Sequence, residues 1–211
     1  MAGKKLLKKS SSCQNKNFLI MNFINFLQIK KIYFIGIKGV AMTGLALIFK
    51  QRGYEVYGSD VPEVFITDKI LKANKIKVFK NFSVSNIKKI KPDLVVVGTS
   101  WLKNNVEFEY VKKNKIQTIL ESELRGALSG EKTTIAVCGV HGKTTVTAWL
   151  SYIFSQAGLK PSYLFGSSDA FGLNTNGCWQ KGKHFIVEGD EYIKDLKSNK
   201  AKFLDLKSKL T

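Results

Sequence analysis

The sequence predicts an α/β protein with two units: a Rossmann-like parallel sheet domain followed by a second, smaller α/β domain. Two glycine-containing turns support this prediction, because each follows a short apolar run and precedes a helix-like run. The alternation of strand and helix signals along the chain is also typical of parallel sheets. At 211 residues, 44% of them hydrophobic, the chain can build one large core or two small ones.

The strand signals divide the chain near residue 130. In the first unit, residues 31–128, apolar and β-branched runs predict five strands, at 31–35, 54–58, 76–79, 93–98 and 116–119. In the second unit, residues 132–211, we predict a long helix over 146–157 and three strands, at 134–138, 162–165 and 184–188. The polar, glycine-containing segment 129–132 is the predicted joint.

Residues 1–30 are predicted to be a basic, poorly ordered extension. Lysines and serines dominate its first part, and the apolar run that follows is too short and too polar to span a membrane. No small-residue cleavage site follows that run, so we do not expect a secretory signal.

The more informative glycine turn lies in the second unit. An apolar run stops at a glycine, and the turn ends in Gly-Lys-Thr-Thr before a helix-like run. Free N–H groups at a helix start bind phosphate, and the helix dipole favours negative charge there. The spacing is shorter than in the common phosphate loop, because Val137 stands where that pattern has its first glycine. We predict a nucleoside triphosphate site formed by Gly139, Val140, His141, Gly142, Lys143, Thr144 and Thr145.

The other glycine turn lies near the front of the chain, where Gly36 and Gly39 follow the first predicted strand. Such a turn lets a diphosphate approach the backbone, and Asp60, about twenty residues on, is placed to accept a hydrogen bond from a ribose hydroxyl. Thr99 follows a buried strand, at the sheet edge where ligands bind. Other residues occupy two positions that the dinucleotide fingerprint gives to glycine, so an ordinary strand–helix turn explains this segment equally well.

An acidic segment follows the last predicted strand and begins with Glu188. A carboxylate at this sheet edge binds Mg²⁺ directly or through water, and it would complete an oxygen shell begun by Thr144 and the ATP phosphates. A solvated acidic turn explains the segment equally well in isolation, but its pairing with the glycine turn favours a metal site. The three cysteines have no metal-binding or disulfide spacing, which fits a reducing cytoplasm.

The net charge of +18 comes almost wholly from scattered lysines. No basic stripe with interleaved aromatics, RNP motif or zinc-knuckle spacing accompanies them. We therefore interpret the excess charge as solvated helix faces, and we expect neither a nucleic-acid partner nor a membrane span.

Four ordered segments together resemble the Mur ligase family, at residues 34–42, 57–60, 139–145 and 187–192. These are ATP-dependent enzymes that add amino acids or peptides to UDP-N-acetylmuramic acid during peptidoglycan synthesis. His141 resembles the branches that add L-alanine or a murein tripeptide, and Glu191-Tyr192 is more similar to the tripeptide branch. The sequence departs from the family at Val140, where threonine is usual, and at Gly189, where alanine is usual.

The resemblance implies a role for each site residue. Lys143, Glu188 and His141 would be catalytic, and Thr144 and Glu188 would bind Mg²⁺ beside ATP. The UDP part of the substrate would be held by Gly36, Lys38, Gly39, Ser59, Asp60 and Thr99. The implied reaction converts a substrate carboxylate into an acyl phosphate at the expense of ATP, and an amine then displaces phosphate to form an amide.

The resemblance also implies that the second unit, residues 132–211, is an incomplete P-loop ATPase α/β domain. Family members have a UDP-substrate domain, a central ATPase domain and a C-terminal domain, and this sequence resembles the first and about half of the second. We expect uncovered apolar surface on the helix over 146–157, and a separately encoded C-terminal remainder is a candidate partner. The implied substrates are UDP-N-acetylmuramate with L-alanine or a murein peptide, in the cytoplasm. Family chains begin just before the first strand, which makes Met21 an alternative start.

Two other functions stay open. One is a non-catalytic module that binds nucleotide or UDP-sugar and derives from a Mur ligase. The other is an NAD-dependent oxidoreductase, suggested by the first glycine turn. The second glycine turn and the acidic segment count against an oxidoreductase, because hydride transfer requires neither.

Overall fold

The structure is a computed structural model of the chain, and it describes residues 26–168, 170, 172–189 and 206–207. These residues form one five-stranded sheet and one four-stranded sheet, with helices packed against them. The predicted α/β class with a parallel sheet is confirmed.

The first sheet is parallel throughout and has the strand order β3-β2-β1-β4-β5. Its strands match the five predicted ones to within two residues at each end, and they are β1 (Lys31–Ile35), β2 (Glu55–Ser59), β3 (Lys77–Phe79), β4 (Leu94–Val97) and β5 (Thr118–Leu120). The central strands β1 and β4 are apolar and almost wholly buried, as expected for a parallel sheet covered on both faces. The winding direction changes between them, so their carboxyl ends border the crevice in which α/β sheets bind ligands.

Five helices connect or follow these strands. They are α1 (Val40–Gln51), α2 (Thr67–Ala73), α3 (Val84–Ile90), α4 (Val106–Lys113) and α5 (Glu121–Ser129). Ser83 and Asn105 begin α3 and α4, because their side chains accept hydrogen bonds from N–H groups of the first helical turn.

The second sheet has the strand order β6-β9-β7-β8. Its strands are β6 (Thr133–Val137), β7 (Ser162–Leu164), β8 (Gly177–Cys178) and β9 (His184–Glu188). The parallel strands β6, β7 and β9 agree with the prediction. The antiparallel β8 was not predicted, because two residues are too few to show an alternating pattern.

Helix α6 (Lys143–Gln156) follows the second glycine turn and starts three residues earlier than predicted. Gly142 adopts a left-handed conformation at its N-cap, with φ of +75°, so the helix begins directly after it. The helix buries small residues against the sheet, whereas Trp149 and Ile153 are 53% and 57% exposed. The prediction of uncovered apolar surface on this helix is therefore confirmed.

Helix α1 joins the two sheets. One hydrophobic cluster contains α1 residues such as Leu45 together with Leu164 and Phe185 of the second sheet. A Cβ built on Gly177 would lie 2.1 Å from the carbonyl oxygen of Gly44, so the backbones of β8 and α1 are in direct contact. The chain passes from the first sheet to the second at residues 129–132, where the joint was predicted. The hydrophobic core, however, is continuous between the two sheets.

The segment before β1 packs with the first sheet from residue 26 onward. Ile29 is 7% exposed, and the ring of Phe26 stacks on Phe49 at a centroid distance of 6.0 Å. The predicted extension over 1–30 is thus corrected for residues 26–30, because two of their side chains join the core. The rest of that segment, including Met21, lies outside the described residues. Among the helices described, none has the length and apolar character to cross a bilayer.

The Asp93 carboxylate fixes the beginning of β1. Its Oδ2 atom accepts hydrogen bonds from the N–H groups of Lys31 and Lys30, both at 2.8 Å. These bonds, led by the one from Lys31, hold the pKa of Asp93 below its usual value. A lowered pKa means that the stabilisation is present above the unfolded-state pKa and is lost as the pH falls through the folded-state value.

We expect Asp93→Ala to lower the free energy of unfolding at pH 7 by about 1–3 kcal/mol, because two hydrogen bonds to a charged acceptor are lost. The difference from the wild type should shrink as the pH falls below 3.8, the ordinary pKa of an aspartate carboxyl. Asp93→Asn is the matched control, since its amide oxygen can accept the same two bonds. Urea unfolding at pH 7 and pH 3 measures both variants, and an equal loss for Asp93→Ala at both pH values would contradict the assignment.

Candidate active site

The first glycine turn lies at the carboxyl ends of β1 and β2. Gly36 has φ of +84°, a conformation that glycine adopts readily, and its N–H donates to the carbonyl of Ser59 at 2.9 Å. Gly39 is the N-cap of α1, and its N–H donates to the carbonyl of Gly36 at 3.3 Å. Helix α1 therefore begins at the turn, with its first N–H groups and the positive end of its dipole at this sheet edge.

Trp101 lies directly against this turn. A Cβ built on Gly36 would lie 2.2 Å from the Cδ1 and Nε1 atoms of Trp101, so only glycine fits beside the ring. The ring of Phe82 packs against Trp101 at a centroid distance of 4.4 Å. Trp101 ends a short 3-10 turn that begins at Thr99, and both residues are half-buried. Sequence reasoning identified Thr99 but missed Trp101, although its place just after a strand at the carboxyl edge was an available signal.

The Lys38 side chain points into the protein. Its Nζ atom donates hydrogen bonds to the carbonyls of Val61 at 2.9 Å and Glu63 at 2.6 Å, and it lies 3.4 Å from Oδ2 of Asp68. The side chain is 2% exposed. Lys38 thus holds the loop between β2 and α2, and a direct contact with substrate would require it to leave these bonds.

The Asp60 carboxylate supports the same turn by accepting hydrogen bonds from its backbone and from the loop after β2. Its Oδ2 atom accepts a hydrogen bond from the N–H of Lys38 at 2.7 Å, and its Oδ1 atom accepts one from Val61 at 2.8 Å. Burial raises the pKa of the Asp60 carboxyl. Each carboxylate oxygen has two lone pairs, so the group retains capacity to accept a ribose hydroxyl.

Ser59, at the end of β2, donates its hydroxyl proton to the buried carboxylate of Glu107. Glu107 also accepts hydrogen bonds from the Tyr33 hydroxyl at 3.0 Å, the Ser83 N–H at 3.0 Å and the Asn86 amide at 2.9 Å. Four donors compensate for burying this charge. The Ser59 side chain therefore fixes the end of β2 from inside. Sequence reasoning missed Glu107, because an acidic residue on a short helix gives no signal of burial.

The second glycine turn connects β6 to α6. Gly139 has φ of +147° and Gly142 has φ of +75°, so both positions favour glycine. A Cβ built on Gly142 would meet no described heavy atom within 4 Å, so space is open in front of the turn. Lys143 begins α6, and its Nζ atom donates to the carbonyl of Gly139 at 2.8 Å. The lysine thus folds back over the turn that it follows.

The two predicted metal ligands lie in contact. The hydroxyl of Thr144 donates to Oε2 of Glu188 at 2.9 Å, and the N–H of Gly166 donates to the same oxygen at 2.7 Å. Glu188 reaches this place because β9 pairs with β6, with Glu188 opposite Val137. The buried Arg125, which sequence reasoning missed, donates to the Glu188 carbonyl at 3.3 Å.

The remaining residues of the predicted phosphate site lie at the surface. Val140 is 80% exposed, and His141 and Thr145 are exposed as well. The acidic segment from Asp190 onward lies outside the described residues. Within the described ranges, no group of three or more His, Cys, Asp or Glu side chains could hold a metal ion. A cation beside Glu188 would thus take further oxygen ligands from Thr144, nucleotide phosphates or water.

Sequence comparison relates this chain to Mur ligases. The family described as "Mur ligase family, catalytic domain" matches residues 31–133. The UDP-N-acetylmuramate–L-alanine ligase of Dictyoglomus turgidum is 36% identical over 165 residues, which make up 78% of this chain and 35% of that protein. The chain thus spans about a third of the length of this curated relative.

Solved structures show the same fold. The UDP-N-acetylmuramate:L-alanyl-gamma-D-glutamyl-meso-diaminopimelate ligase of Neisseria meningitides superposes with a TM-score of 0.77 and 27% identity, covering 86% of this chain and 59% of that one. The UDP-N-acetylmuramate–alanine ligase of Thermotoga maritima gives a TM-score of 0.69 and 27% identity, covering 76% and 37% of the two chains. On the matching family, the sequence relatives and the shared fold, this chain belongs to the Mur ligase family.

Proposed function

We propose that this chain is the substrate-binding and phosphate-binding part of an ATP-dependent Mur ligase. The observation that carries the proposal is the contact between Thr144 and Glu188 beside a glycine turn that opens a helix. A hydroxyl and a carboxylate in that place are oxygen ligands suited to Mg²⁺. The similarity to a UDP-N-acetylmuramate–L-alanine ligase supports the reaction class.

UDP-N-acetylmuramate is the proposed ligand of the first turn. Gly39 has no side chain to cover the N-terminus of α1, which supplies N–H groups and a favourable dipole to a diphosphate, whereas the ring of Trp101 occupies the side-chain position of Gly36. Asp60 and Thr99 are proposed to contact the nucleoside part. Lys38 and Ser59 are proposed to support the site without contacting the ligand. Lys38 would hold the loop after β2, and Ser59 would hold the end of that strand.

Mg-ATP is the proposed ligand of the second turn, residues 139–145. The open space before Gly142 and the two left-handed glycines fit a phosphate cradle. Lys143 would direct its charge to the terminal phosphates, and exposed His141 would contact substrate. Thr144 and Glu188 would hold Mg²⁺, which neutralises and orients the phosphates when bound.

The proposed reaction forms an amide bond. The carboxylate of UDP-N-acetylmuramate attacks the γ-phosphorus of ATP, which gives an acyl phosphate and releases ADP. The amine of L-alanine, or of a murein peptide, then attacks the acyl carbon, and inorganic phosphate leaves. The protein's part is to position the reactants and to compensate charge on the phosphates, which is the task of Lys143 and the backbone N–H groups.

Turnover is proposed to need more residues than those described, because the chain spans about a third of its curated relative. They would come from the same polypeptide or from a separately encoded remainder, in the cytoplasm. A non-catalytic module would share both turns and differ only in turnover. The matches give no support to an oxidoreductase.

We expect UDP-N-acetylmuramate to change the tryptophan fluorescence of the chain, because Trp101 lies against the turn where the diphosphate would bind. Trp101→Phe should remove about half or more of that change, although two other tryptophans remain. Trp149→Phe, on the exposed face of α6, is the matched control. An equal response in the wild type and Trp101→Phe would contradict the placement, and a response to NAD instead would favour the oxidoreductase.

Lys143→Ala should weaken Mg-ATP binding about 10- to 100-fold, because a charge-assisted contact worth roughly 1.5–3 kcal/mol is lost. Glu188→Gln should reduce the difference between affinities measured with Mg²⁺ and with a chelator. Calorimetry on the 211-residue chain measures both effects, with Lys113→Ala at the exposed end of α4 as control. Identical affinities for Lys143→Ala and Lys113→Ala would count against an ATP site at this turn.

A further inference from the structure

The buried side chain of Asn176 connects the start of α1, beside the first glycine turn, to the end of β7. We propose that Asn176 is a positioning residue that couples the two nucleotide sites, so that binding at the first turn shifts groups at the second. The inference rests on the proposed function, since it takes UDP-N-acetylmuramate as the ligand of the first turn.

The first half of the connection runs from α1 to the end of β7. The side-chain amide nitrogen of Asn176 donates to the carbonyl of Val40 at 2.7 Å, and Val40 is the first residue of α1, directly after Gly39. The same nitrogen lies 3.4 Å from the carbonyl of Phe165, its second acceptor. The N–H of Phe165 donates in return to the main-chain carbonyl of Asn176 at 3.0 Å. Asn176 therefore holds Phe165 at a fixed place relative to the first glycine turn.

The second half runs from Phe165 to the metal ligands through one peptide bond. The next residue, Gly166, donates its N–H to Oε2 of Glu188 at 2.7 Å, and Thr144 donates to the same oxygen at 2.9 Å. A Cβ built on Gly166 would lie 2.7 Å from that oxygen, so the peptide and the carboxylate are in tight contact. A displacement of the Phe165–Gly166 peptide must therefore move Glu188 or break its hydrogen bond.

The surroundings of Asn176 favour a role beyond packing. Its side chain is fully buried, yet its Oδ1 atom accepts no hydrogen bond from the described residues. An apolar side chain would fill the same space without leaving a buried acceptor unbonded, so the position uses the amide as a donor. The close approach of Gly177 to the backbone of Gly44 is what brings this donor within reach of α1.

The test is a backbone-amide NMR titration of the whole 211-residue chain with UDP-N-acetylmuramate, without ATP. In the wild type we expect the resonances of Gly39 and Val40 to move, and those of Gly166 and Thr144 to move in the same titration. In Asn176→Ala, Gly39 and Val40 should still move at saturation, while the shifts of Gly166 and Thr144 fall to about half or less. Comparison at saturation removes the effect of a merely weaker or less stable site.

The matched control is Asn174→Ala, the same change at an exposed position two residues earlier, and all four shifts should stay as in the wild type. Should Asn176→Ala not fold, Asn176→Asp at pH 7 replaces it, because aspartate keeps the shape and lacks the donor.

The outcomes separate the two proposals. No response at Gly39 and Val40 would refute the proposed ligand of the first turn, and the coupling would fall with it. A response there without one at Gly166 would overturn the coupling and leave first-turn binding intact. A Gly166 shift in the Asn176 variant as large as in the wild type would also overturn the coupling and leave first-turn binding intact.

Discussion

Burial of α1 on all sides is the constraint on which both halves of the molecule depend. Eight consecutive residues, 42–49, are buried. A single sheet can cover only one side of a helix, so a helix that is buried all round needs contacts with further elements. The first sheet covers one side, and β7 and β8 contact another. Gly44 makes this possible, because a Cβ there would lie 2.3 Å from Leu164. Glycine inside a helix costs about 1 kcal/mol relative to alanine, so close packing outweighs helix propensity here. The relative position of the two glycine turns follows from this shared helix.

The first turn is shaped by polar groups that are bonded inside the protein. Glu107 binds four donors, Asp60 accepts from two backbone N–H groups, and Lys38 donates to two carbonyls. None of these groups needs a ligand to complete its hydrogen bonding, so they fix the backbone before a ligand arrives. A site whose backbone is already fixed loses less conformational entropy when a ligand binds. The surface left for the proposed diphosphate then consists of backbone at the start of α1 and the nearby ring of Trp101, and glycine is required at residue 36 to accommodate that ring.

The local sequence pattern predicted most strands and both turns, because alternation, β-branching and glycine positions can be recognised from neighbouring residues alone. It also predicted that Thr144 and Glu188 would meet, since carboxyl ends of parallel strands share one edge. It could not give the direction of the Lys38 or Ser59 side chains, because their partners, Glu63 and Glu107, are distant in sequence. The short strand β8 could not be predicted because two residues show no alternating pattern. The burial of Asn176 could not be predicted because it depends on contact with α1, which is distant in sequence.

The hydrogen bond between Thr144 and Glu188 also bears on how a cation would be received. A threonine hydroxyl has one proton and two lone pairs, and in this structure the proton is donated to Glu188. The lone pairs are therefore turned away from the carboxylate and are available to a cation. Glu188 in turn is held by the N–H of Gly166, so the orientation of the hydroxyl depends on a peptide outside the turn. In the proposed site, the second glycine turn would supply backbone N–H groups to phosphate, whereas Gly166 at the end of β7 positions the Glu188 oxygen that would bind the metal. The two contributions come from different strands of one sheet, which explains why the turn alone does not define the site.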